Sequence, residues 1–365
     1  MLYGSAIFIA GLYQLVVQVV RDLNRSDWSS IWSGGATVGT PALMDPKLHC
    51  AFQQAHHVWC GIWAYPPAVA LFVWPVAKLP MPLSYAIDLI VMSAFAVIAG
   101  IVLADAFDVP RWLGVFMTLV WPPTKYAIVS GQNETLALLL IALAIAAAKH
   151  NRQLLVGLAV GALLFKPTVG LPFVVLILLR REWRALAVVM VIAAVWYFTG
   201  VMAAANSWHW PAQYAADLRG YFAGDFFSNA SKSASLPDVL MQAGSSPVIA
   251  TVAGIVLFIC AVPRLLRVPL SAALAIVSIV GVAISLHAWN YTVTVGLPAV
   301  FYVMRAVKEP MRTWIVAASY ALSILSIILI PGFTSWNLEA VVVLGLTAIL
   351  ITGAFTEPRP ATARV

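Results

Sequence analysis

Charge is scarce in this sequence: Asp, Glu, Lys and Arg make up only 10% of 365 residues, against about 25% in an ordinary soluble domain. So few charges cannot coat a soluble globule. No long polar block interrupts the chain either, which leaves no place for a separate soluble catalytic module. Cysteine is limited to 3 residues, Cys50, Cys60 and Cys260. Cys50 and Cys60 could close a small loop in an oxidising compartment, but "HCAFQQAHHVWC" reads equally well as a helix that holds them apart. The nearby His49, His56 and His57 match no zinc-ligand spacing.

What the chain has instead is apolar length. Hydrophobic residues reach 62%, in runs that recur from one end to the other, the pattern of a polytopic membrane protein. The first run, residues 1–20, lacks the basic start and small-residue cleavage site of a signal peptide and reads as a retained span. The net charge of +7 follows from the basic bias of cytoplasmic membrane loops, so no nucleic-acid partner is implied.

The basic residues also set the topology. Lys149/Arg152, Arg180/Arg181/Arg184, Arg264/Arg267, Arg305/Lys308/Arg312 and Arg359/Arg364 fit one cytoplasmic side if an even number of crossings separates neighbouring clusters. The other, extracytoplasmic side then collects a first loop within 21–82, "SGQNET" (130–135), "FKPT" (165–168), a second loop at 205–247, "HAWNY" (287–291) and "PGFTSWN" (331–337). Spans are expected at 83–104 and 112–129. Four prolines in 65–80, Pro66, Pro67, Pro75 and Pro80, argue for an interfacial helix there and not a crossing. The stretch from Arg152 to Arg180 is too short for two spans of about 20 residues, so Lys166-Pro167 becomes the apex of a half-length hairpin. The predicted fold is an all-α bundle of roughly twelve transmembrane helices, a single domain over 1–365 with both termini cytoplasmic.

Several polar residues on the extracytoplasmic side have both a functional and an ordinary explanation. Lys166 lies below the outer surface and asks for an anionic partner such as a lipid phosphate, although lysines also snorkel. Asn133 could cap the following helix, which leaves Gln132 without a task. His287 beside Trp289 and Tyr291 resembles an ordinary interfacial belt. Asp27, in "RSDWSSIWSGG", could cap a short helix, and Asp45 in "MDPK" reads as a turn former.

Taken in order, "DWSSIWSGG", "MDPK", "YPP", "GQN", "FKP" and "HAWNY" resemble the integral-membrane glycosyltransferases of the GT-C superfamily, and most closely glycosyltransferase family 87. Glu134 and Thr135 depart from the small or apolar residues expected after "GQN". The resemblance implies inverting transfer of a hexose, usually mannose, from a polyprenyl-phosphate donor to a hydroxyl of a glycolipid or glycan. It assigns Asp27 as general base, and Lys166, His287, Gln132, Asn133 and Tyr65 to the donor phosphate and sugar. Trp28, Trp32 and Trp289 would stack on the acceptor or on sugar rings. No cofactor and no metal is expected, because the leaving group carries one phosphate rather than two. The expected location is a bacterial plasma membrane, with the site facing the periplasm or cell exterior. A transporter or flippase of lipid-linked sugars is the alternative, but it would place its ionisable residues near the midplane in repeated broken helices.

Overall fold

A computed structural model describes residues 27–229, 233–306 and 338–352, together with 314, 317, 318 and 321. The expected first span (1–20), "PGFTSWN" and the basic residues Lys308, Arg312, Arg359 and Arg364 lie outside the described residues. Within them the regular structure is helical, and the only β pairing is an isolated antiparallel bridge between Ser233 and Trp289.

The first loop folds as α1 (Trp28–Ala36) and α2 (Pro46–Ala55), followed by α3 (Ala68–Ala77). At 10 residues, α3 rises about 15 Å, half of a hydrocarbon core of about 30 Å. This agrees with the proline-based expectation for 65–80. Next come α4 (Met81–Phe107), α5 (Arg111–Val120), α6 (Pro122–Ser130) and α7 (Glu134–Lys149). The 112–129 segment is therefore two helices and not one span. Pro122 and Pro123 follow an extended Trp121, and they remove the backbone donors that would have continued α5.

A hairpin follows, α8 (Gln153–Ala162), a 3₁₀ turn (Leu163–Phe165) and α9 (Pro167–Leu179). Proline at the first helical position drives the preceding residue out of the α region. Lys166 accordingly has φ −129° and ψ 84° and turns the chain at the apex. With 10 and 13 residues, these helices rise about 15 and 20 Å, the half-length pair expected from the basic ends.

The chain continues through α10 (Trp183–Ala203), α11 (Trp210–Asn229), α12 (Leu236–Gln242), α13 (Pro247–Arg267) and α14 (Leu270–Ile284). A 3₁₀ segment (Asn290–Gly296), α15 (Leu297–Ala306) and α16 (Leu338–Thr352) complete the described elements. Among the described residues, three helices are long and apolar enough to cross a membrane: α4, α10 and α13. The shorter apolar helices include α3, α5, α9 and α14.

Burial separates centre from periphery. α14 buries every residue from Ala272 to Ala283, and α7 is nearly as enclosed. α10 and α13 instead expose Met190, Val191, Val195 and Phe198, and Val248, Ile255 and Ile259. Exposed apolar rows of this kind suit hydrocarbon, where the backbone bonds within its own helix and the side chains need no water. Small residues bring the inner helices together: a Cβ on Gly100 would lie 2.8 Å from the Gly114 carbonyl oxygen, so α4 and α5 touch backbone to backbone.

The basic turns converge at one end. Lys149 and Arg305 both reach Asp108, at 2.9 and 3.5 Å, and Arg111 pairs with Asp105 at 2.8 Å. Arg180 donates to the Leu265 and Val268 carbonyls at 2.7 and 2.9 Å. Residues that the charge pattern assigned to a common side are thus structural neighbours.

Candidate active site

At the other end of these helices, the turns carry the polar motifs. Asp27 occupies the N-cap position of α1, but its side chain makes no cap hydrogen bond. Its Oδ2 instead accepts from Gln132 Nε2 at 2.6 Å, while Gln132 Oε1 accepts from the Tyr65 hydroxyl at 2.9 Å. An ionised carboxylate only accepts hydrogen bonds, so this contact fixes the orientation of the amide. Asp27, Gln132 and Tyr65 form one hydrogen-bonded chain from residues far apart in sequence. By contrast Asp45 does cap, its Oδ1 accepting from the backbone of Lys47 and Leu48.

Local geometry brings Gln132 to Asp27. α6 ends on Gly131 at φ +71°, a left-handed position that glycine adopts without a steric cost. A Cβ there would meet Trp28 Cβ at 2.6 Å. Glycine therefore allows both the reversal and the close seating of the "GQN" turn against the start of α1. Asn133 sits at the N-cap of α7 but makes no side-chain cap bond, so the capping explanation fails for it.

Lys166 approaches from the hairpin apex. Its ammonium pairs with Glu134 Oε1, with the glutamate fully buried and the lysine side chain 15% exposed. The same Nζ lies 5.9 Å from the Tyr65 ring centroid and 5.5 Å from that of Tyr291, a cation flanked by two aromatic faces. Tyr291 stacks on Tyr126 at 6.1 Å and meets Trp289 at 5.4 Å, and Trp289 meets His287 at 5.2 Å. His287 is tied into this chain of contacts through those rings. Burial pushes its imidazole down to about 4, with the Lys166 charge as the second cause. At neutral pH it is an uncharged ring and not a second cation.

Tyr65 is held as a phenol. Burial raises its pKa well above the ordinary value, and the negative charges of Glu134, Asp27 and Asp88 add to the effect, together with Tyr214. The Tyr65 hydroxyl is therefore a donor throughout the physiological range, which matches its bond to Gln132.

Three expected ring-binding residues have packing contacts. Trp28 is buried against Gly131, and Trp32 is buried with Nε1 donating to the Leu79 carbonyl at 3.2 Å. Trp289, 8% exposed, lies between His287 and Tyr291. The second loop supports this part of the site. Ala234 N donates to the Ala288 carbonyl at 2.7 Å, and Asp238 Oδ2 accepts from Ala288 N at 3.2 Å.

Cys50 and Cys60 form a disulfide, which resolves the helix-or-loop alternative. α2 ends at Ala55, and the chain folds back after His57 at φ 56°. The disulfide removes both sulfurs as thiolate ligands, and His49 is engaged by Ser33 and Ala42. Among the described residues, no cluster of three or more His, Cys, Asp or Glu side chains could hold a metal ion.

Asp88, Glu134 and Tyr291 join the cluster without having been assigned to it from sequence. Asp88 carried a readable signal, since it is the one charged residue between Met81 and Ala104, and a carboxylate inside an apolar span marks a functional position by default. Glu134 was visible as a departure from the expected motif, but its pairing with Lys166 depends on tertiary contacts.

No curated protein and no solved structure matches this chain. The model of glycosyltransferase family 87 matches residues 63–331. That interval contains Tyr65, the "GQN" turn, Lys166 and His287, and it begins after Asp27. It spans well over half of the sequence, and the chain belongs to glycosyltransferase family 87.

Proposed function

We propose that the chain transfers a hexose, with mannose the first choice, from a polyprenyl-phosphate donor to a hydroxyl of a glycolipid or glycan. Transfer inverts the anomeric carbon and takes place on the extracytoplasmic side of a bacterial plasma membrane. The observation that carries this reading is the junction of the Asp27–Gln132–Tyr65 chain with Lys166. Asp27, through Gln132, and Lys166, paired with Glu134, then meet at Tyr65.

The acceptor oxygen attacks the anomeric carbon as the bond from that carbon to the phosphate oxygen breaks. Asp27 takes the hydroxyl proton, and positioned proton transfer of this kind contributes roughly 10²- to 10⁴-fold. The polyprenyl phosphate leaves as an anion, with Lys166 supplying charge and neutral His287 a ring nitrogen. Gln132 holds the carboxylate in place, while Asn133 and Tyr65 line the donor side. Rings at Trp28, Trp32 and Trp289 belong to the same reading as acceptor or ring contacts. No resident metal enters the scheme.

The GT-C-like architecture of roughly twelve crossings, both termini cytoplasmic, belongs to the same proposal. It comprises one domain over 1–365, with a catalytic first loop at 21–82 and a second at 205–247. The convergence of Lys149, Arg305 and Arg111 around Asp105 and Asp108 supports a common cytoplasmic side.

Sealed vesicles containing the purified protein would be supplied with polyprenyl-phosphate mannose and a lipid acceptor extract. Labelled glycolipid should form and carry the α configuration. Movement of intact donor across the bilayer without any product would overturn the reading in favour of a flippase.

A further inference from the structure

We propose that Asp88 is a specificity residue, a buried carboxyl that hydrogen-bonds to hydroxyls of the transferred sugar. The inference rests on the glycosyl-transfer reading and adds a recognition element to it. Asp88 is 4% exposed, and its Oδ2 is sealed from solvent with no hydrogen-bond partner among the described residues. Ser84, one turn earlier on α4, has a buried hydroxyl in the same condition.

The surroundings of Asp88 follow from its neighbours on the helix. Tyr85, Asp88 and Met92 share one face at i, i+3 and i+7. The Tyr85 hydroxyl donates to the Val129 carbonyl, and Thr135 Oγ1 donates to Met92 sulfur at 3.2 Å. Asp88 lies between these contacts, so it is opposite residues 129–135, the turn that carries Gln132, Asn133 and Glu134. In that turn, Glu134 Oε2 is buried with no hydrogen-bond partner among the described residues.

Among the described residues, the site therefore presents unfilled polar atoms on two carboxyl groups and a serine. Leaving such groups unpaired in a dry interior is costly, so a hydrogen-bonding partner is called for. A prenyl chain offers no hydrogen bond, a phosphate diester only accepts, and no third carboxylate or histidine completes a cation site among the described residues. A sugar ring brings a row of hydroxyls that both donate and accept. A buried carboxyl discriminates strongly between a hydroxyl and its absence, because the deoxy analogue leaves a polar group unpaired.

The test uses the full-length wild type, Asp88→Asn and Asp88→Leu in detergent, with polyprenyl-phosphate mannose and its 2-, 3-, 4- and 6-deoxy analogues. Binding and transfer are both measured. Asp88→Asn should weaken binding of the parent donor by about 10- to 100-fold. On one deoxy donor, wild type and variant should agree to within about twofold, because the lost hydroxyl and the lost carboxyl belong to the same interaction. Asp88→Leu should melt at a higher temperature than the wild type, since an unpaired buried polar group has been removed. Equal weakening for every donor, or none for any, overturns the assignment. A wild type that binds but does not transfer refutes the glycosyl-transfer reading alone, and one that binds no donor refutes both.

Discussion

Two buried polar clusters in this protein are completed in different ways. In the first loop, Gln53 donates to Ser33 Oγ at 2.9 Å and accepts from Gly61 N at 2.9 Å. His49 lies 2.9 Å from the same serine oxygen, and its other nitrogen is 3.2 Å from the Ala42 carbonyl. Burial lowers the His49 pKa, against the pull of its backbone bonds, so the ring is neutral and the cluster closes on its own chain. Around Tyr65 the arrangement is open. Asp88 and Glu134 each keep a buried oxygen with no partner among the described residues, and Lys166 provides one cation beside several carboxylates.

A closed polar network holds a fold, whereas an open one awaits a ligand. Histidine, serine and glutamine in the first loop look as chemical as anything near Tyr65, yet they join α1, α2 and the disulfide loop. Substitutions in one cluster should therefore spare the property that the other controls.

The largest effect is expected from Lys166→Met. Loss of a preorganised charge at the leaving group should reduce transfer by about 10²- to 10³-fold. It also leaves Glu134 as an uncompensated buried charge, a loss of about 3–5 kcal/mol. Adding Glu134→Gln should recover most of the stability and little of the transfer, which separate melting and product assays would resolve.

On the closed side, Cys50→Ser with Cys60→Ser should cost about 2–3 kcal/mol for a loop this short, measured by thermal unfolding in detergent with and without reductant. Gln53→Leu strands the Gly61 amide and should cost about 1–3 kcal/mol. For both changes, kcat at a temperature where the protein is folded should stay within about twofold of wild type, the range of an ordinary uncoupled site.

The smallest effect concerns pH. His287 has a folded pKa near 4 against 6.5 unfolded, so between these values the unfolded chain binds more protons. Stability from this group is complete above about pH 6.5 and declines as pH falls toward 4, by under about 1 kcal/mol at pH 6. His287→Gln should flatten this part of a melting-temperature profile.

Much of the fold was legible because proline and basic residues constrain a membrane chain strongly. Pro66, Pro67, Pro75 and Pro80 identified the short α3, and the cationic ends at Arg152 and Arg180 forced the hairpin that turns at Lys166. The same logic should have divided 112–129, where Pro122-Pro123 stops α5 after Val120; hydropathy concealed it, since apolar character continues across the break. The pairing of Cys50 with Cys60 was undecidable because helix and turn have similar sequence signals there. Only the reversal near His57 chooses between them.

The site was legible as a set of motifs and not as a geometry. Asp27 and Gln132 were both singled out, but their 2.6 Å bond spans 105 positions and depends on Gly131 packing against Trp28. Local rules favoured a helix cap at Asp27 and at Asn133, and in each case tertiary structure left the cap bond unmade. Glu134 was legible only as an oddity, because nothing in the sequence shows that Lys166 comes back to meet it.

Asp27 is the group on which the proposed transfer depends, and its isosteric amide is the most direct test. Wild type and Asp27→Asn would be purified, matched for melting temperature, and supplied with polyprenyl-phosphate mannose and acceptor lipid under single-turnover conditions. The variant should still bind donor while its transfer rate falls by about 10²- to 10⁴-fold. Transfer at the wild-type rate by a folded Asp27→Asn protein would contradict the general-base role.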